Sequence, residues 1–189
     1  MRRRHAALAL ALSLAALLAA CSSLPRETAP LAGDSLSGRL ALRVDTTGEE
    51  QPRSVVAAFE LRGAPEAGRL DLATPTGQVM AQARWQPGRV VLVTPQGETP
   101  FASLDALTRE VLGESLPVAA MFDWLHGRPW PGAAHVANPP GFRQLGWAVD
   151  LARFADDTIV AVRESPQPTA DLRVVFEAVP RAGVDSRRP

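Results

Sequence analysis

The sequence predicts a mainly β domain in which an antiparallel meander carries two short helices on its apolar face. Two observations predict it. Five short runs between Gly38 and Gly97 alternate apolar with polar residues, at near-regular spacing and with turn residues between them. That pattern belongs to hairpin-connected strands and argues against βαβ units. From Ser103 to Leu125 the apolar period then lengthens, twice in succession, to that of a helix. Both helices are short and amphipathic, so each must lay its stripe on something, and the meander's apolar face is the available partner.

The first run starts at Gly38, with Leu40, Leu42 and Val44 on one face and Arg39, Arg43 and Asp45 on the other. After a polar break from Thr46 to Arg53, Val55, Ala57, Phe59 and Leu61 alternate with Val56, Ala58, Glu60 and Arg62. Gly63 to Gly68 turns the chain into a third run, where Leu70 and Leu72 alternate with Arg69, Asp71 and Ala73. Thr74-Pro75-Thr76-Gly77 has proline second and glycine last, as a type I turn prefers. The fourth run sets Val79, Ala81, Ala83 and Trp85 against Gln78, Met80, Gln82 and Arg84. The fifth, Val90 to Val93, lies between Gln86-Pro87-Gly88 and Thr94-Pro95-Gln96-Gly97. Strand side chains alternate faces, so each run is apolar on one side and wetter on the other.

Ser103 is placed to cap the first helix, with Asp105 in its first turn, Leu104, Leu107 and Val111 on one face and Gly113 beyond. Pro117 suits the first position of the second, where Val118, Met121, Phe122 and Leu125 follow before Gly127 and Pro129 stop it. Gly127 to Gly141 reads as a long loop containing Trp130. Strands resume at Gly146, where Trp147, Val149 and Leu151 alternate with Ala148, Asp150 and Ala152. Thr158 to Arg163 follows, and then Asp171 to Ala178, with Leu172, Val174, Phe176 and Ala178 on one face. Residues 38–179 are thus expected to form one domain, and residues 180–189, without a core pattern, a flexible tail.

Ahead of this domain, Met1-Arg2-Arg3-Arg4-His5 is basic and Ala6 to Ala20 is a 15-residue apolar run. With small residues before a cut site, residues 1–20 read as a secretory signal. The run falls short of the roughly 20 residues that a spanning helix needs. Leu18-Ala19-Ala20-Cys21 resembles the bacterial lipobox, in which the cysteine is lipid-modified and becomes the new N-terminus. Cys21 is the only cysteine, so it has no disulfide partner. The alternative is ordinary cleavage that leaves a free thiol. A single acyl chain anchors a protein only marginally, so stable attachment calls for a multiply acylated cysteine. Ser22, in place of Asp, resembles the sorting signal for the outer membrane. Residues 21–37 then form a lipidated N-terminus and flexible tether.

Removing the leader leaves 169 residues, enough for one domain with a sizeable core. Its 17 arginines face 20 acidic residues, a net charge of −3, which gives no basis for nucleic-acid binding. No catalytic constellation emerges: there is no G-x-S-x-G elbow, no H-E-x-x-H and no phosphate loop. His126 ends a helix and His135 sits in the expected loop, with no Cys or paired carboxylate at ligand spacing, so both read as surface histidines and no metal or cofactor is expected. Asp156-Asp157 reads as a solvent-facing turn pair. An enzyme is the weaker class. Four tryptophans (85, 124, 130 and 147) and Phe59, Phe122 and Phe176 supply a core, in which small inward residues (Ala57, Ala81, Ala83) face large ones. That mix either packs tightly or leaves a cleft for a greasy ligand.

The order of these features resembles the LolB family of outer-membrane lipoproteins. The most specific pieces are Ser37-Gly38-Arg39-Leu40-Ala41-Leu42, the Pro75/Gly77 turn, Trp124-Leu125-His126-Gly127-Arg128-Pro129 and the strand Leu145-Gly146-Trp147-Ala148-Val149. The resemblance implies an unclosed antiparallel β-barrel, a half-barrel covered by short helices, with an apolar cavity for the acyl chains of other lipoproteins. It implies a monomer, anchored to the outer membrane through Cys21 and facing the periplasm, that receives acylated cargo from a LolA-like periplasmic carrier and releases it into the outer membrane. Leu40, Leu42, Phe59, Leu61, Leu72, Trp85, Leu92, Met121, Phe122, Leu125, Trp147, Val149 and Phe176 are the candidates to line the cavity. Pro75, Thr76 and Gly77 match the family's membrane-release turn, where a bulky apolar residue is replaced here by Thr76, with Met80 and its neighbours close by. The short stretch before Gly38 leaves the cover to the two predicted helices. The competing reading is a lipid-anchored structural or interaction protein with a filled core.

Overall fold

The computed structural model describes residues 31, 33–45, 52–165 and 168–178. Cys21, the leader, most of the tether and the tail lie outside them. The strands are β1 (Asp34–Asp45), β2 (Arg53–Gly63), β3 (Gly68–Ala73), β4 (Val79–Gln86), β5 (Arg89–Thr94) and β6 (Gly97–Phe101), followed by helices α1 (Leu104–Leu112) and α2 (Val118–Trp124). Then come β7 (His135–Asn138), β8 (Gly141–Gln144), β9 (Trp147–Asp150), a 3-10 turn (Phe154–Asp156), β10 (Thr158–Arg163) and β11 (Thr169–Ala178). All eleven strands form one antiparallel sheet in the order β6-β5-β4-β3-β2-β1-β11-β10-β9-β8-β7. β6 and β7 are its two edges and do not pair with each other, so the sheet is an unclosed barrel.

The central strand is the longest, and both halves of the meander grow outward from it. Leu40 stands between Ala57 and Val174, and Leu42 between Val55 and Leu172. Gly38 stands in register between Phe59 and Phe176, and its missing side chain lets the β11 backbone come close: a Cβ there would meet Val175 O at 2.1 Å and Phe176 Cα at 2.7 Å. The inward residues of both halves join the residues of α1 and α2 in one continuous core. On the outer face, polar ladders such as Arg69–Asp71 (2.7 Å) and Arg84–Glu98 (3.8 Å) are at least partly exposed and worth about 0–1 kcal/mol each.

Four features of the sheet depart from the sequence reading. β1 begins at Asp34, so residues 34–37 belong to the sheet and not to the tether. A register shift between Leu72 and Ala73 pairs Ala73 with Val79 and leaves Met80 as the extra residue of a bulge. Val79 is therefore 61% exposed instead of inward, and Met80 39%. The edge strand β6 was absent from the pattern because Gly97-Glu98-Thr99-Pro100-Phe101 does not alternate; an edge tolerates Pro100, which has no N–H to donate. Finally, the expected loop from Gly127 to Gly141 contains β7, which a Pro139–Pro140 turn with a cis bond joins to β8 as a hairpin arm.

The helices form as their ends dictate. The Ser103 side chain accepts from Ala106 N at 3.1 Å, and Gly113, at φ 80°, closes α1 by donating to Arg109 O. Pro117 sits one position earlier than expected, just before α2, where its carbonyl accepts from Ala120 and Met121. α2 is not amphipathic. Of its seven residues all but Ala119 are buried, including Asp123, which accepts from Arg128 Nε at 2.6 Å. Trp85 meets Phe122 edge-on at 6.2 Å between centroids, and Trp124 meets Phe142 likewise at 6.2 Å. Gln144, 2% exposed, ties this plug to the sheet. It accepts from Trp124 Nε1 (2.8 Å) and Trp130 N (2.9 Å), and donates to the carbonyls of Trp130 (2.7 Å) and Ala133 (2.8 Å). Gln144→Leu leaves these four groups without their partner, the buried Trp124 Nε1 above all, and is expected to cost about 3 kcal/mol, read as a lowered midpoint in denaturant unfolding followed by tryptophan fluorescence.

Candidate functional site

The candidate site lies between the concave face and α1. Leu107, Thr108, Val111 and Leu112 of the helix face Leu70, Leu72, Ala81, Ala83 and Leu92 across an apolar gap of ≈ 10 Å³. That is room for about one water-sized sphere. The gap sits where β4 offers only the methyl groups of Ala81 and Ala83, so the small-against-large mix packs almost fully and leaves this trace of a cleft. α1 packs on β4, β5 and β6.

A second space opens on the other flank of the helices. It is a groove of ≈ 350 Å³ with Leu104, Pro117, Val118, Trp130, Leu145 and Trp147 as apolar walls and Asp105, Ser115 and Arg163 as polar ones. One bank belongs to α1 and α2, the other to β9, β10 and the turn before β9. Its volume stands at the lower end of small-molecule sites. Arg163 lies over the Trp147 ring, 5.5 Å from its centroid, and its Nη2 donates to Glu114 Oε2 at 2.5 Å and to Pro168 O at 3.2 Å. Its Nε is buried without a partner.

All thirteen predicted cavity residues are buried in the common core. Of these, Leu72 and Leu92 line the interior gap and Trp147 lines the groove; Leu40, Leu42, Phe59, Leu61, Trp85, Met121, Phe122, Leu125, Val149 and Phe176 line neither. The sequence reading passed over Ala81, Ala83, Leu107 and Leu112 as lining residues, although their small size and helical spacing were visible. Pro75, Thr76 and Gly77 form an exposed hairpin tip. Thr74 Oγ1 and Thr76 Oγ1 are 2.8 Å apart, and Gly77 N donates to Thr74 O at 2.8 Å.

His126 Nδ1 lies 3.9 Å from Asp34 Oδ2 at the surface. His126 is exposed and its Nδ1 donates to Phe122 O at 2.6 Å, while His135 is exposed on β7 rather than in a loop. Asp156 and Asp157 are exposed. Among the described residues no group of three or more His, Cys, Asp or Glu is placed to hold a metal ion, and no helix is long and apolar enough to cross a membrane.

The sequence profile described as "Outer membrane lipoprotein LolB" matches residues 35–170. The chain belongs to the LolB family. It is 33% identical to the outer-membrane lipoprotein LolB of Bordetella pertussis over 176 residues, covering 86% of this chain and 88% of that protein. It is 32% identical to that of Chromobacterium violaceum (78% and 83% covered) and 35% identical to that of Cupriavidus metallidurans (90% and 85%). The LolB-like helix end has a physical reason here. Gly127, at φ 72°, faces the ring of Phe154, which a Cβ would meet at 2.9 Å, and Arg128 neutralises the buried Asp123.

The gap beneath α1 leaves room for added methyl groups. Ala83→Val is expected to change stability by less than about 1 kcal/mol, whereas Ala57→Val, which does not border the gap, is expected to cost about 1–3 kcal/mol. Paired thermal unfolding curves check the difference.

Proposed function

We propose that this chain is an outer-membrane receptor that accepts lipoproteins from a LolA-like periplasmic carrier, shelters their acyl chains beneath α1, and inserts them into the outer membrane. The observation that carries the reading is an apolar concave face on a sheet that never closes, covered over β4 to β6 by a single nine-residue helix. Membership of the LolB family supports it. Cys21, as the acylated N-terminus behind a cleaved leader, supplies the anchor in this reading.

The interior is nearly full, so an acyl chain enters by taking the place of α1. Lifting the helix exposes Leu107, Leu112 and part of Val111, at about 1.5–3 kcal/mol for each fully buried side chain. A chain of about twelve methylenes gains roughly 10 kcal/mol on leaving water. The exchange is therefore favourable without a nucleotide, and the sequence carries no phosphate loop to bind one. Handover from a carrier needs only a difference in affinity, about 1.4 kcal/mol for each tenfold step.

A second reading, an anchored interaction protein whose core stays filled, is favoured by the small size of the gap, ≈ 10 Å³. The two separate in one experiment. Carrier-bound acylated cargo is mixed with the chain carrying Cys21→Ala, and the cargo's position is followed by size-exclusion chromatography. Migration of cargo onto this chain is the expected result; cargo that stays on the carrier at every ratio supports the filled core. For the release step, Thr76→Leu adds apolar surface at the tip and is expected to speed delivery into liposomes about tenfold, given that one buried leucine is worth about 1.5 kcal/mol or more. An unchanged rate assigns the tip no part.

A further inference from the structure

We propose that the Glu114–Arg163 ion pair is a latch that holds the helical cover shut and opens when cargo supplies a substitute acceptor for Arg163. The proposal rests on the acyl-shelter reading and names how that site is regulated. Glu114 belongs to neither helix; it lies in the connection between α1 and α2, while Arg163 ends β10 on the opposite bank of the groove. The two are 49 residues apart in sequence and joined at 2.5 Å.

Burial sets this pair apart. The side chains of Arg163 and Glu114 are 11% and 6% exposed, whereas every other ion pair among the described residues has a partner at least 29% exposed. A buried pair is poor glue, because desolvation offsets much of its attraction, yet separating it is costly because a buried charge is left alone. Such an element is either made or broken, which is what a latch requires. The connection is also fastened to α1: Leu116 N donates to Thr108 Oγ1 at 2.9 Å. Gly113, in its left-handed conformation, carries no side chain where the Arg53 stem packs. Pulling Glu114 away from Arg163 therefore moves the connection together with α1, the element that covers the interior gap.

Arg163 is prepared for the exchange. It stays seated on Trp147 and already has one buried donor, Nε, without an acceptor. The groove wall it occupies is otherwise largely apolar. The ligand chemistry that satisfies it is an apolar chain bearing an oxygen acceptor, as an ester or amide carbonyl of an acylated headgroup does. The carbonyl takes the guanidinium's donors as Glu114 leaves, so entry and opening are one event.

The test uses the chain carrying Cys21→Ala, so that its own lipid does not compete, with amide hydrogen exchange and uptake of a fluorescent C16 fatty acid as readouts. Glu114→Gln keeps the shape and removes the charge. Amides of α1 are expected to exchange about tenfold faster, equivalent to about 1.4 kcal/mol, with those of β1 and β11 unchanged, and probe uptake is expected to quicken by a similar factor. Arg163→Met added to Glu114→Gln is expected to bring no further acceleration, because the pair acts as a unit. Unchanged α1 exchange, or an acceleration shared by β1 and β11, overturns the latch. Saturable uptake with unchanged α1 exchange removes the latch and leaves the shelter. Absent uptake with a quickened α1 removes the shelter and the cargo-exchange step together, and leaves Glu114–Arg163 as a closure of the cover.

Discussion

An eleven-stranded sheet with one apolar face has two ways to keep that face from water: close on itself, or be covered. Here closure is blocked at both ends of the sheet. On one edge β6 contains Pro100, which cannot donate to a further strand; on the other, β7 is four residues long with every side chain exposed. Cover must therefore come from α1 and α2, and much else follows from that need. Strand β4 is small where α1 crosses it, at Ala81 and Ala83, and large at Trp85, where Phe122 of α2 arrives.

The two helices answer the need in different ways. α2 is buried nearly all round, has aromatic contacts to both halves of the sheet through Trp85 and Phe142, and is tied to β8 by the Trp124–Gln144 hydrogen bond. It works as a plug and part of the core. α1 has one buried stripe, a side-chain cap at its start and a glycine at its end. A helix of that length has little stability of its own, so its hold depends on packing and on what fastens its ends. In the proposed exchange, this division between α2 as plug and α1 as cover leaves a rigid frame and makes α1 the element that yields.

Much of this was legible in the residues. The five early runs, both helices and the strands from Trp147 onward follow directly from period-two and period-3.6 spacing, and the N-cap was readable at Ser103. What was missed shares a cause. β6, β7 and β8 are edge or near-edge strands whose partners lie on one side or whose inward position is polar, so alternation does not mark them. Gln144 is the sharpest case: a glutamine in the core is invisible to a hydrophobic pattern, and only the donors of Trp124 and Trp130 around it explain its place. The site was legible as a surface but not as a space. Alternation marks which residues face inward; whether they meet their neighbours depends on how α1 lies over β4. Likewise the Glu114–Arg163 pair spans 49 residues, beyond the reach of any local motif.

The hairpin between β3 and β4 shows how a local irregularity alters a surface. Because Met80 is an extra residue in the ladder, Val79 turns outward, and Pro75 to Met80 form six exposed residues in a row. From Ala73 to Ala83 there is no charged side chain. The polar groups of the tip are engaged with one another: Thr74 N with Gln78 O at 2.8 Å, Gly77 N with Thr74 O at 2.8 Å, and Gln78 N with Thr74 Oγ1 at 3.1 Å. Moving a backbone into an apolar phase is costly mainly through unpaired N–H and C=O groups, and this turn has already paired several of its own. Val79 and Met80 then add exposed apolar surface behind the tip. In the proposed release step, a threonine at the apex is thus a weaker wedge than a leucine would be, standing on a stem whose exposed Val79 and Met80 suit the edge of a bilayer.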